Sequence, residues 1–445
     1  MKAKTLQDIF LGLLSVALLL SVFIPIFHHT NVRRFHEDEH IFVRRGIFLD
    51  YYLAGKFFDP VWQTFESSDV PKFGEFFYGA VLRIYSGKAI SEYLEPEFVR
   101  PLDSSDYFWY LEYSRNHCCS IQDLPTEIQN RLKPVLVARK AGVFFALGSL
   151  ALLFLLCWQL RSWLFGATTV LILGQNFLFK DSLTTAMGDG PLIFWSLLYA
   201  YTIGLFFASL RHSSRKRLLL LYLIAGVAAG LATATKLNGV INLLHFLLAS
   251  TYVFFQAGQP FKALKYQAGL VVIAYATFFI LNPFLWTHPV RNSLFMMVTR
   301  QVTIEKQQQL SEENHQTLRT LPERVSKTYE RTLQPLAVYS NFPQESVINA
   351  FGVLFFLGGI VGGVNLILSG KVTHLASSNV SFTSFFLWVL SWMLITTLLI
   401  PLDWDHYYLP IVIGISVLQS FAVSEVLRKL LSKFPALLKI VPEQK

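Results

Sequence analysis

Long apolar runs joined by short polar stretches recur from one end of this sequence to the other. Hydrocarbon offers no partner to a backbone N–H or C=O, so a segment crossing a bilayer must be a helix or part of a closed barrel. Uninterrupted runs of about 20 apolar residues argue for helices. With 53% of 445 residues hydrophobic and only 15% charged, the chain is predicted to be an all-α, polytopic membrane protein rather than a soluble multidomain enzyme.

The runs fall near residues 9–27, 135–160, 163–179, 190–210, 218–235, 239–256, 267–285, 347–368, 381–400 and 407–424, which makes ten expected spans. The first follows Lys2 and Lys4 but ends in Phe-Ile-Pro-Ile-Phe, with no small-residue cleavage site, and is read as an uncleaved span. Cations in short loops set orientation. Arg161, the Arg211-Arg215-Lys216-Arg217 cluster, Lys262, Lys265, Lys371, and Arg428, Lys429 and Lys433 all fall on the side of Lys2 and Lys4, so both termini are expected in the cytoplasm. Residues 226–239, rich in Gly and Thr, are the stretch where a broken or re-entrant helix competes with two spans.

The expected organisation is a single membrane domain over residues 1–424 and a basic cytoplasmic tail over 425–445. Residues 28–134 form a first extracytoplasmic loop with amphipathic helices, and 286–346 a second with one or two exposed helices. The net charge of +9 is scattered between apolar runs, which excludes a nucleic-acid-binding domain and suits topology signals. Cys118, Cys119 and Cys157 give neither metal-ligand spacing nor a disulfide framework. The Asn379-Val380-Ser381 sequon falls on the cytoplasmic side of this topology.

The chemistry-bearing stretch is His36-Glu37-Asp38-Glu39-His40, just beyond the first span. A carboxylate there meets both a lipid-linked and a water-soluble substrate. A second acidic loop, with Asp181 and Asp189, follows the third span on the same side, and Asp189 lies in Ala186-Met187-Gly188-Asp189-Gly190-Pro191 against the next span. A carboxylate at that boundary needs water, a cation or a ligand beside it. Transfer of a sugar from a polyprenyl phosphate needs one carboxylate base and cationic groups to receive the leaving phosphate. Lys72, Arg139, Lys236 and Arg291 are the candidate phosphate partners, each with a plainer reading as an interfacial anchor.

The order of these features resembles the GT-C superfamily of polyprenyl-phosphate-sugar-dependent glycosyltransferases, especially the branch of protein O-mannosyltransferases and the lipid A aminoarabinose transferase. Asp38-Glu39-His40-Ile41-Phe42-Val43-Arg44-Arg45-Gly46 is similar to the Asp-Glu pair that opens a helix after the first span, and Val70-Pro71-Lys72-Phe73-Gly74 to a Lys-Pro-Pro-Leu-like turn. Arg139, Asp189-Gly190-Pro191-Leu192, the Gly-rich span ending in Thr235-Lys236, and Tyr407-Tyr408-Leu409-Pro410 match further family features in order. The resemblance implies Asp38 as the catalytic base, Glu39 shaping its site, and Asp189 as a second acidic residue orienting the acceptor or a cation. It adds His406 and Tyr407 to the candidate donor-phosphate residues, although His406 stands where an Arg or Lys often precedes the Tyr-Leu-Pro turn, and Phe73 replaces the second Pro of the other turn. It further implies a polyprenyl-phosphate sugar donor, an acceptor hydroxyl of protein, lipid or glycan, inversion, and a site on the extracytoplasmic face of a bacterial cell membrane. The sequence assigns no cofactor, and a divalent cation is an alternative to Lys or Arg as receiver of the phosphate charge.

The same five residues spell HExxH. On a helix His36 and His40 would share a face as zinc ligands, with Glu37 polarising water and His28 or His29 as a further ligand. Against that protease reading, Asp38 and Glu39 add charge at the intervening positions, and the motif lies outside a span. A noncatalytic transporter or flippase is the remaining alternative. It would favour ionisable residues at the centre of spans, whereas this chain keeps its charges at their ends.

Overall fold

A computed structural model describes residues 2–33, 36–94, 126–210, 213–311, 316–332, 345–369 and 377–433. Helix α1 (Lys2–Val32) continues past the expected end of the first run. Its polar sequel folds into short helices, α2 (Glu37–Arg44), α3 (Phe48–Leu53), α4 (Phe65–Asp69), α5 (Phe73–Ser86) and α6 (Ile90–Tyr93). Then come α7 (Thr126–Gly142), α8 (Phe144–Leu160), α9 (Trp163–Gln175), α10 (Phe177–Leu183), α11 (Asp189–Ser209), α12 (Arg215–Thr235), α13 (Ile241–Gln256) and α14 (Pro260–Ile280). The chain closes with α15 (Pro289–Ser311), α16 (Leu321–Thr332), α17 (Glu345–Ser369), α18 (Ser377–Leu399) and α19 (Leu409–Leu431). Among the described residues the only β pairing is an isolated antiparallel bridge between Thr317 and Leu402.

Among the described residues eight helical stretches are long and apolar enough to cross a membrane, which makes this an all-α, multi-pass integral membrane protein. The two remaining expected spans correspond to shorter apolar helices, Trp163–Gln175 and, among the described residues, Gly352–Asn365. The expected run at 163–179 is broken because the side chain of Asn176 accepts from the backbone of Phe179 at 3.1 Å and caps a new helix, α10. Residues 226–239 do not form a broken span: α12 is continuous to Thr235, and the chain turns at Lys236 through a 3-10 helix, Leu237–Val240.

The interior is built on α11 and α19, whose apolar windows are 67% and 72% buried, whereas α14 at 22% and α1 at 28% lie on the outside. Lipid tails are as apolar as leucine, so close packing rather than water exclusion holds such helices together. A Cβ on Gly230 would stand 2.6 Å from the carbonyl oxygen of Ala274, so that glycine lets α12 and α14 meet backbone to backbone. Two polar side chains deep in the bundle are fully engaged. Asn242 accepts from the Trp388 and Trp392 indoles at 3.0 and 3.3 Å and donates to Ser196 at 3.0 Å. His245 bridges the Tyr199 hydroxyl and the Ser384 carbonyl, both at 2.8 Å.

At one end of the bundle α2–α6 and α7 enclose a second, smaller core around Val43, Tyr78, Leu82, Ile90 and Val135. Gly46 and Gly79 touch there, since a Cβ on Gly79 would lie 2.5 Å from the Gly46 carbonyl oxygen. This layer is where α2 presents its acidic N-terminus.

Candidate active site

The first turn of α2 places the acidic residues. His36 is its N-cap, in extended backbone conformation, with its Nδ1 accepting from the Asp38 N–H at 3.2 Å, while Glu39 accepts from the His36 N–H at 3.0 Å. This is a capping box. For the zinc-protease alternative, His36 stands at the N-cap of the helix that carries His40, and its Nδ1 is engaged by the backbone of Asp38. Among the described residues no group of three or more His, Cys, Asp or Glu side chains could hold a metal ion.

Asp38 and Glu39 point to different environments. Glu39 is fully buried and takes two bonds from Arg139, Nε to Oε1 at 2.7 Å and Nη2 to Oε2 at 2.5 Å. It also accepts from the Ala186 N–H at 2.7 Å. Burial opposes its charge, but the Arg139 guanidinium overrides this and holds the carboxyl below the usual range. Arg139 donates as well to the carbonyls of Thr30 and Arg33, at 3.2 and 3.0 Å. The pair thereby fastens α1, α2, α7 and the 184–189 loop to one another.

Asp38, by contrast, lines a polar cavity of about 410 Å³ and is 33% exposed. Its only ion-pair neighbour among the described residues is the His36 ring, at 4.0 Å. Every other carboxylate on this cavity is held by arginine. Asp181 takes Arg33 at 2.7 and 2.5 Å, and Asp403 takes Arg331 at 3.0 and 3.1 Å. Burial works against ionisation of Asp181, yet His29 at 3.7 Å and the Arg33 guanidinium hold its carboxyl down at about 2.

The two acidic loops meet at one end of the molecule, since Met187 lines the cavity with Asp38, and Ala186 bonds Glu39. Asp189, 4% exposed at the start of α11, takes Lys236 Nζ on Oδ1 at 2.7 Å, while its buried Oδ2 has no hydrogen-bond partner among the described residues. Between these groups lie His406 and Tyr407, with ring centroids 4.5 Å apart. The charges facing Tyr407 include Arg300, Asp189 and Asp38, and those facing His406 include Lys236, His36, Arg300 and Arg33.

The structure thus gathers Asp38, Asp189, Lys236, His406 and Tyr407. It does not bring three expected phosphate partners to the cavity. Lys72 is fully buried against Glu75 at 2.7 Å, Arg139 is spent on Glu39, and Arg291 is exposed elsewhere on α15. Burial, the leading influence, lowers the Lys72 ammonium from its ordinary range despite the opposing charge of Glu75. Sequence reasoning overlooked Arg33, Arg300, Arg331, Asp403 and Trp404. The only local signal for the last two was Asp403-Trp404-Asp405-His406, a polar and aromatic run just before a span. Cys118 and Cys119 and the tail beyond residue 433 lie outside the described residues, and Cys157 is buried.

No protein-family model and no curated protein matches the chain. Among solved structures it is similar to an oligosaccharyltransferase of Archaeoglobus fulgidus in the apo form, with 13% identity and a TM-score of 0.45 over 94% of this chain and 51% of that one. It is likewise similar to the oligosaccharyltransferase AglB of that organism in complex with an inhibitory peptide and a dolichol-phosphate, with 12% identity and a TM-score of 0.48 over 97% and 52%. The chain spans about half the length of those solved structures. At this level the likeness carries neither activity nor site residues across.

Proposed function

We propose that this chain is a GT-C-type membrane glycosyltransferase that moves a sugar from a polyprenyl-phosphate donor to an acceptor hydroxyl at the cavity beside α2. The observation that carries the reading is the contrast among carboxylates. Asp181, Asp403 and Glu39 are each clasped by an arginine, and Asp38 alone of this group is half-exposed with no Lys or Arg in ion-pairing range among the described residues. An acid kept ionised by a clasping arginine is a poor proton acceptor, whereas one open to the cavity is able to take a proton.

In the proposed step Asp38 takes the proton of the acceptor hydroxyl as its oxygen bonds to the anomeric carbon of the donor. The bond from that carbon to the phosphate oxygen breaks on the opposite side, so the product is inverted. Polyprenyl phosphate leaves with the bonding pair, and in this proposal Lys236 and Arg300, whose charges face His406, receive its charge. Asp189, with one carboxylate oxygen already on Lys236, orients that lysine and leaves the other for a bound hydroxyl.

The resemblance to the protein O-mannosyltransferase and aminoarabinose transferase branch rests on the order of sequence motifs. With it come an extracytoplasmic site, cytoplasmic termini and a place in the bacterial cell membrane. The test is to incubate the purified protein, in lipid nanodiscs, with a panel of short-chain polyprenyl-phosphate sugars and to follow release of polyprenyl phosphate. Turnover of at least one donor, with product of inverted anomeric configuration, is expected. A protein that binds and consumes none of them but carries stoichiometric bound zinc would contradict the reading and revive the protease.

A further inference from the structure

The cavity has a wall whose chemistry the transfer step does not use. It is formed where the bridge between Thr317 and Leu402 joins the segment before α16 to the segment before α19. The Asp403 N–H donates to the Gln316 carbonyl at 2.7 Å, and the Leu318 N–H to the Pro401 carbonyl at 3.1 Å. On this frame Trp404 stands half-buried, its indole N–H directed to the Gln316 side chain at 3.3 Å and its ring nearly parallel to Tyr407, 19° apart with centroids at 6.0 Å. Trp404, Gln316, Arg331 and Asp403 line the same cavity as Asp38.

Three properties narrow what fits. The charges on the cavity are two guanidinium groups against three carboxylates, so it offers no excess positive charge to an anionic ligand. Its polar groups are planar and fixed, because Arg331 and Asp403 hold each other in parallel bonds and the Tyr408 hydroxyl donates to Asp403 at 2.9 Å. Across the bridge the facing backbone groups of Gln316, Leu318, Pro401 and Asp403 are bonded to one another, which fixes the segment that carries Trp404. A flat aromatic ring beside the rigid, mutually paired edges of Arg331 and Asp403 suits a neutral polyhydroxyl ring, apolar on its face and polar at its rim. About 410 Å³ lies within the range of small-molecule sites, roughly 300–1,000 Å³.

We infer that this wall is the acceptor subsite and that the acceptor is a neutral carbohydrate, its ring against Trp404 and one hydroxyl turned to Asp38. The inference rests on the glycosyltransferase reading for the fate of that hydroxyl. Its proton passes to Asp38, and its oxygen replaces the phosphate on the donor's anomeric carbon. Trp404 and Gln316 are binding residues in this scheme, and Asp38 remains the base.

The test is saturation-transfer NMR on the full-length protein in nanodiscs, without donor, using neutral methyl glycosides and disaccharides, the matching glucuronide, and a neutral serine-containing peptide. At least one neutral glycoside is expected to bind saturably. Affinity should fall about tenfold in Trp404→Ala, as losing a stacked ring implies, and be largely kept in Trp404→Phe. Gln316→Ala, which leaves the ring in place, should weaken binding by a smaller factor and guards against a misfolded Trp404→Ala. Failure of every neutral glycoside to bind, binding indifferent to both Trp404→Ala and Gln316→Ala, or preference for the glucuronide or the peptide would overturn the inference. Donor turnover onto a peptide or lipid acceptor would overturn the carbohydrate acceptor while keeping the glycosyltransferase. Trp404-dependent glycoside binding without turnover of any donor would keep the sugar site and overturn its role as an acceptor site.

Discussion

A carboxylate beside a membrane is expensive to bury, and neighbouring residues here meet that cost in opposite ways. Glu39 is buried and fully bonded to Arg139, so removing either partner strands a charge. Glu39→Gln or Arg139→Met is therefore expected to lower stability by about 3–5 kcal/mol, seen as a fall in the thermal unfolding temperature in detergent. The double variant Glu39→Leu with Arg139→Met should recover part of the loss. Asp181 makes a pH-dependent contribution. Its carboxyl is held at about 2 against an ordinary 3.8, so its stabilising effect is complete above about 4 and is lost as pH falls through about 2. Asp181→Asn should consequently unfold at a lower temperature than the parent at neutral pH, and the gap should close between pH 4 and 2. A gap that stayed constant with pH would show that Arg33 and His29 do not act through its charge. Asp38 was legible in the sequence as an acid just past a span. Its difference from Glu39 was not, because that depends on Arg139, 100 residues away.

Short helices carry the site, and their mutual contact sets its geometry. Gly46 and Gly79 bring the end of α2 against α5 at backbone distance, where a methyl group would overlap the Gly46 carbonyl. Gly79→Ala is expected to cost about 1–3 kcal/mol through overpacking and to reduce turnover more than it reduces stability at working temperature, because α2 carries Asp38. Melting curves and initial rates on the same preparations separate the two effects. On the far wall α16 is tied down by Arg331 on Asp403 and by Arg324 on the Leu398 carbonyl. Amphipathic helices in the polar stretches were foreseeable from composition. Their partners were not, since periodicity marks which face is apolar but not what it will meet.

At the scale of the whole molecule, hydropathy made most spans readable to within a few residues, as lipid imposes one rule on all of them, while the expected 267–285 starts seven residues late and 407–424 ends seven short. It misjudged 163–179, where a single Asn cap outweighs a continuous apolar run, and it left open the α12 turn that the structure places at Lys236. The bundle puts Lys56 and His288 at the end that carries Asp38, and Lys216 and Gln259 at the other, all four exposed. Single cysteines at these positions, in a chain whose own three cysteines are serine, should label in two pairs from opposite sides of sealed vesicles. Labelling of Lys56→Cys and His288→Cys from different sides would break the common site. The measurement that bears most directly on the function is polyprenyl phosphate release by Asp38→Asn beside the parent protein. Asn keeps the side chain's size and accepts no proton, so the rate should fall about 10²- to 10⁴-fold with the unfolding temperature unchanged. A variant that releases polyprenyl phosphate at the parental rate would contradict Asp38 as the base.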